Sequence, residues 1–242
     1  DPRDYPTYEL TQIHRQAEDS PIIRFSQAVR EGNLMPRHSD IVPGLKVLNH
    51  SELEEDVLSS WTTYGSDHVA HICYTNQTRV DLNEYLHQLF SSHNRVEGTE
   101  FFPTVPVMCL FNHSTLLQNG MRGTMGEVNP DRYWLSGEFD FSLDGVVVNG
   151  DAFGPQFGQQ RTIGTYEEVR THVPQIPKDE WRENTGLLLD FGYAMTAHKS
   201  QGSQFRCVYV HTTRMASQGK QAAMQWMYTA ATRASTQLVL VV

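Results

Sequence analysis

Residues 191–205, FGYAMTAHKSQGSQF, carry a hydroxyl (Thr196), an imidazole (His198), an ammonium (Lys199) and a second hydroxyl (Ser200) directly after an apolar run. With the backbone N–H groups of a turn, such side chains suit phosphate oxygens, because they combine charge with donors already held in place. A polar loop that caps a helix would use the same residue types. Residue type alone does not distinguish the two. Leu187 to Met195 is apolar and aromatic enough for a buried strand, and Gly202 supplies a tight bend before a second apolar run, Cys207 to Val210. The polar side chains would then emerge at the carboxyl end of a strand, where open α/β sheets bind ligands.

A second stretch bears on the first. Tyr228 to Ser235, YTAATRAS, lies at the end of a helix expected over Gln218 to Thr232, just before a closing strand, Gln237 to Val242. The pair resembles motifs V and VI of superfamily 1 helicases, most closely the RecD-like and phage Dda-like branch. There the first reads A-x-T-x-H-K-S-Q-G-S-E-F and the second Y-T-A-x-T-R-A.

The resemblance implies an α/β fold: a RecA-like (P-loop NTPase-type) three-layer domain with a parallel sheet, interrupted by a small SH3-like β-barrel. It implies that Thr196, His198, Lys199 and Ser200 grip single-stranded DNA, that Arg233 reaches the γ-phosphate of ATP, and that Gly202 and Gln204 lie beside the nucleotide. Gln204 replaces the usual glutamate. An amide can donate and accept hydrogen bonds but holds no charge, so ribose selection there would be relaxed.

Further segments fit the same scheme. Tyr8 to Gln16 leads into Ser20-Pro21, an N-cap followed by a natural first helical residue, then an amphipathic helix Ile22 to Arg30 closed by Gly32. This resembles the family's L-x-x-I-x-R-Q-x-x-x-S-P-I pattern, which makes Arg15 a second cation directed at the γ-phosphate and places Gln16 at the nucleotide. A surface ion pair is the alternative for Arg15.

Val42 to Leu48 reads as a short strand, and Ser51 to Tyr64 as a helix opened by the capping-box spacing of Ser51 and Glu54. Val69 to Thr75 reads as a buried parallel strand. Thr78 to Phe90 follows as a helix with Val80, Leu82, Tyr85, Leu86 and Leu89 facing inward. The resemblance puts Thr75, Asn76 and Arg79, between or beside those two elements, near the DNA track; satisfying the turn is the alternative for Asn76, and Arg79 suits an ionic role.

Ser91 to Glu100 reads as a linker, Val105 to Phe111 as a strand, and Asn119-Gly120 as a turn. The stretch from Val107 to Val128 resembles the point at which the family inserts its β-module, so the domains are expected at 1–102, 103–186 and 187–242. Asp151 to Gln160 reads as a loop whose Phe153 and Phe157 pack on the barrel or stack on bases, and Tyr166 to His172 as a short helix.

Composition narrows the rest. Nineteen Lys and Arg against 28 Asp and Glu give a net charge of −9, so any grip on nucleic acid must be local and not a bulk field. Cys73, Cys109 and Cys207 sit in apolar runs without a metal or redox spacing, as buried thiols do in a reducing cytoplasm. The eleven histidines lack ligand spacing, and no metal site is expected. No stretch approaches a membrane span.

The phosphate loop G-x-x-x-x-G-K-[ST] and the magnesium-holding acidic pair do not occur in the sequence. ATP and Mg2+ would therefore be held mainly by an N-terminal helicase domain in cis, and the chain by itself is expected to hydrolyse no ATP. The main expectation is the C-terminal half of an ATP-dependent, 5′ to 3′ DNA helicase, working beside replication or recombination proteins. Alternatives are a free-standing module that binds single-stranded DNA or protein, and a structural motor remnant of a helicase-nuclease subunit.

Overall fold

The computed structural model describes residues 20–36, 41–94, 104–109, 119–124, 189–213 and 219–242, with Phe102, Met215 and four two-residue strands between 128 and 148. Its centre is a five-stranded, wholly parallel sheet built from β1 (Leu45–Leu48), β2 (Val69–Cys73), β10 (Ala194–Thr196), β11 (Phe205–His211) and β12 (Ala234–Val241). The spatial order is β1-β12-β11-β2-β10.

Helices cover both faces. On one side α2 (Leu53–Tyr64) and α3 (Asn76–Asn94) pack Leu53, Val57, Leu86 and Phe90 against Val69, Tyr209 and Val239. On the other, α1 (Pro21–Arg30) and α4 (Lys220–Ala231) pack Ile22, Phe25, Trp226 and Met227 against Ile72, Val208 and Leu240. This double cover explains why β2 and β11 read as near-continuous apolar runs without alternation. All five residues of β2 are buried, and in β11 only Arg206 is not. The three-layer parallel architecture is that of a RecA-like helicase domain.

Helix limits follow local chemistry. Ser20 occupies the N-cap of α1 with Pro21 first in the helix, and Gly32, at φ +98°, ends it as read from the sequence. The second helix starts differently. Asn49 and Glu52 also have the capping-box spacing, and it is this pair that is used: the Glu52 carboxylate accepts from Asn49 N at 3.0 Å, and a short turn over His50–Glu52 leads into α2. In α3, Tyr85 is 40% exposed where an inward position was expected, whereas Asn83 and His87 face the core.

The run Leu187 to Met195 is not a single strand. Its first part, β9 (Leu189–Phe191), joins an antiparallel sheet with β3 (Pro106–Cys109) and β4 (Arg122–Thr124), and its second part, β10, is the edge of the parallel sheet. Gly192 makes the switch. Its N–H donates to Pro106 O at 2.7 Å, and a Cβ there would lie 2.9 Å from the carbonyl carbon and oxygen of Val107. No side chain fits a crossing that close.

Asn119 and Gly120 form a turn that leads into β4, with Gly120 at φ +92° and Cys109 N donating to Met121 O at 2.8 Å. Val105, Val107 and Cys109 are packed into the main core. The first residues expected in an inserted barrel are thus part of the central domain's own hydrophobic layer. Beyond them, β5 (Val128–Asn129) pairs with β6 (Arg132–Tyr133), and β7 (Gly137–Glu138) with β8 (Val147–Val148). The expected barrel as a whole, Phe153, Phe157 and the Tyr166 to His172 helix lie outside the described residues. Among the described residues, no helix is long and apolar enough to cross a membrane.

Candidate nucleotide and nucleic-acid site

The carboxyl edge of the sheet gathers one set of expected residues. Strands β2 and β10 are neighbours in register, with Thr196 opposite Cys73, so Thr75, Asn76, Thr196 and His198 emerge from adjacent strand ends. Asn76 and His198 are exposed, and Thr196 is half-buried. Thr75 is committed locally, since its Oγ1 accepts from Thr78 N at 3.1 Å and shares a 2.8 Å hydrogen bond with Thr78 Oγ1. It caps α3.

Lys199 is half-buried, and its ammonium is pushed below the usual lysine range. Burial is the main cause and repulsion from Arg79 the next, with Asp190 opposing them.

Two residues expected to face a strand of DNA are turned inward. Ser200 is fully buried and donates its hydroxyl to Ala197 O at 2.7 Å, closing the turn. Arg79 is 1% exposed, and its Nη1 donates to the Asp190 carboxylate at 2.5 Å. Burial raises the Asp190 pKa, and the guanidinium works against that rise. Arg79 therefore does have the ionic role its type suggests, but inside the protein. Both positions were assigned by resemblance to family motifs, and a motif does not fix which way a side chain points.

At the opposite edge lies Arg233. Residues 197–204 cross from the end of β10 to the start of β11. Cys207 stands opposite Val69 where Thr196 stands opposite Cys73. At roughly 3.3 Å per residue, the crossing spans at least about 13 Å along the strand direction.

It is wound by helical turns, with Ser200 N donating to Thr196 O at 3.1 Å and Ser203 N to Ser200 O at 3.1 Å, and reverses at Gly202, φ +92°. At its far end Arg233 Nη1 donates to Ser203 O at 3.2 Å, Nε to Thr229 O at 3.1 Å and Nη2 to Thr232 Oγ1 at 3.1 Å. Phe205 N donates to Arg233 O at 2.9 Å. Gly202 and Gln204 are exposed beside it. One short segment thus links the two groups of residues. Arg15 and Gln16 lie outside the described residues.

Residues that the sequence did not single out hold this arrangement. As the sheet edge, β10 would leave the outward N–H and C=O of Ala194 unpaired, and the Asn83 amide meets both, accepting at 2.8 Å and donating at 3.2 Å. Arg122 is buried and donates to four carbonyls: Gly192 at 2.7 Å, Val69 at 2.8 Å, and Ser66 and Asp67 at 3.2 Å each. It ties the β3–β4 hairpin to the start of β2. The available signal was a polar residue on an otherwise apolar face.

The three cysteines are buried and free, with burial pushing the thiols of Cys73 and Cys207 up to about 12 and about 11. Among the described residues, no group of three or more His, Cys, Asp or Glu could hold a metal ion.

Residues 191–241 match the family of UvrD-like helicase C-terminal domains. The match takes in both the crossing and Arg233. An uncharacterized protein of Acanthamoeba polyphaga mimivirus, R530, is 47% identical over 51 residues, which is 21% of this chain and 10% of that protein.

Two solved structures share the fold. Pif1 helicase from Bacteroides in complex with ADP-AlF3 and ssDNA superposes with a TM-score of 0.51 at 18% identity, covering 96% of this chain and 51% of that one. Pif1 helicase from Candida albicans gives 0.50 at 15% identity, covering 95% and 55%. The chain spans about half the length of these helicases.

Proposed function

We propose that the chain is the second motor domain of an ATP-dependent DNA helicase of superfamily 1, of the RecD-like and Dda-like branch, working against a first domain that carries the phosphate loop and magnesium carboxylates. The observation that carries this reading is the crossing 197–204. It begins among side chains suited to a DNA strand and ends hydrogen-bonded to a cation suited to a phosphate.

The residues fit a nucleotide held from the other side of a cleft. Arg233 stands beside an exposed glycine turn at one edge of the sheet, and Gln204 offers an amide in place of a carboxylate. ATP bound there would supply the phosphoryl-transfer free energy. The chain's own contribution is electrostatic: Arg233, with Arg15 as second cation and Gln16 nearby, stabilises negative charge on the γ-phosphate, worth roughly three to five orders of magnitude for such a residue.

In the described arrangement the Arg233 guanidinium is docked on Ser203 O and Thr229 O. Reaching across a cleft exchanges the Ser203 bond for a phosphate oxygen, and this loosens the crossing. At the other end of the crossing, Thr196, His198 and Lys199, with Asn76 alongside, hold single-stranded DNA. Cleft closure and strand grip are coupled through one segment, and repeated cycles move the strand, 5′ to 3′ by likeness to the family.

The test is strand binding. Thr196→Ala combined with His198→Ala weakens single-stranded DNA binding about tenfold, whereas Arg233→Ala leaves it within about twofold, on the scale where tenfold is about 1.4 kcal/mol. Equal loss in both variants would contradict the division of roles between the two edges.

A further inference from the structure

Charge is segregated between the two helical layers. Helices α2 and α3 carry Glu54, Glu55, Asp56, Asp81 and Glu84, and their only Lys or Arg is the buried Arg79. Helices α1 and α4 carry Arg24, Arg30 and Lys220 and no carboxylate. All three cations are exposed; in sequence Glu31 follows Arg30 directly, and Glu18 and Asp19 precede α1. In a chain of net charge −9, the described part of this helical layer is thus locally basic. Local basic patches on acidic proteins concentrate polyanions there.

That face has shape as well as charge. A groove of about 440 Å³ runs along it, lined by Arg30, Gln221, Met224, Gln225 and Tyr228. The Arg30 guanidinium carbon lies 6.0 Å from the centre of the Tyr228 ring. Arg30 lies on the flank of α1 that lines this groove, and the Lys220 side chain reaches the end of the same helix at Gly32, whereas Arg24, six residues before Arg30, points about 120° away around the axis. A tyrosine ring under a guanidinium is a stacking platform for a base of any identity. Glutamine amides can bond base edges without fixing a sequence.

We propose that the outer groove between α1 and α4 is a second contact surface for a single nucleic-acid strand, separate from the strand ends at Thr196 and Asn76. Arg30 and Lys220 contact phosphates, and a base stacks at Tyr228. An acidic protein segment would answer the charge alone and leave the aromatic floor and amide rim without a role.

The test measures anisotropy of a labelled oligothymidylate against salt with the full chain. Arg30→Glu with Lys220→Glu weakens binding at least about tenfold and lowers the slope of log affinity against log salt by about 1.4, roughly 0.7 for each phosphate no longer neutralised on a single strand. Tyr228→Leu weakens binding about fivefold or more with little change in slope. Gln225→Glu, a single exposed change, provides the same direction of effect if the double reversal fails to fold. Combining the reversal with Thr196→Ala and His198→Ala multiplies the losses. Unchanged affinity in these variants overturns the proposal, as does absence of binding by the wild type. A reversal that abolishes binding of polyglutamate but spares the oligonucleotide also overturns it, in favour of an acidic protein partner.

Discussion

Arg79 and Asp190 form a buried ion pair under the Lys199 ammonium, and the pair can be tested without any ligand. Removing the guanidinium in Arg79→Met leaves a carboxylate in the core, which costs about 3–5 kcal/mol when a buried pair loses one partner. Chemical denaturation should show a loss of that size, and Arg79→Met combined with Asp190→Leu should recover most of it. If the single variant lost less than about 1 kcal/mol, the pair would be a solvated contact.

Residue types in this site were legible in the sequence, and their orientation was not. Thr196 and His198 follow the end of β10 as the apolar run before them implied, whereas Ser200 and Arg79 point inward. Asn83 was invisible for a related reason. Its importance comes from β10 being an edge strand, a property of the assembled sheet and not of the helix in which Asn83 lies.

At the scale of elements, apolar runs and breakers revealed most of the secondary structure, because β2, β11 and β12 are buried on both faces and α1 and α4 end at glycine or at a following strand. The one large difference, the split of Leu187 to Met195 into β9 and β10, came from a glycine read as part of a run. Gly192 carries a specific expectation: Gly192→Ala places a methyl against the Val107 carbonyl and destabilises the fold by about 1–3 kcal/mol, as overpacking does. A denaturation midpoint equal to that of the wild type would mean that the two sheets can part.

A second element-scale prediction concerns β2 and β11. His71 Nδ1 and His211 Nε2 lie 3.0 Å apart in the core, and one ring must donate to the other. Burial, then the neighbouring His211 and Arg122 charges, hold His71 well below its ordinary value, while burial and His50 lower His211 to about 3. Both rings are neutral in the folded protein at pH 7. Below about 6.5 the unfolded chain takes up protons that the folded one refuses, so stability falls as pH drops from about 6.5 toward 3. The slope is about 1.4 kcal/mol per pH unit for each ring. Melting temperatures should be level near pH 7–8 and fall steeply below 6, and His211→Gln should make the fall shallower. An identical pH profile in that variant would remove the pair as the cause.

Over the whole molecule, the crossing 197–204 joins the carboxyl edge of the sheet to the opposite edge at Arg233, and helices cover both faces of the sheet between them. The chain spans about half the length of the Pif1 helicases it resembles in fold, and in the proposed function it supplies one side of a cleft, with turnover belonging to the assembled pair of domains. The measurement that tests this most directly is DNA-stimulated ATP turnover by the chain combined with a first domain bearing a phosphate loop, comparing wild type with Arg233→Ala. The account predicts no turnover by the chain alone, turnover by the combination, and a loss of about a thousandfold or more in the variant. Equal rates for wild type and Arg233→Ala, or hydrolysis by the isolated chain, would contradict it.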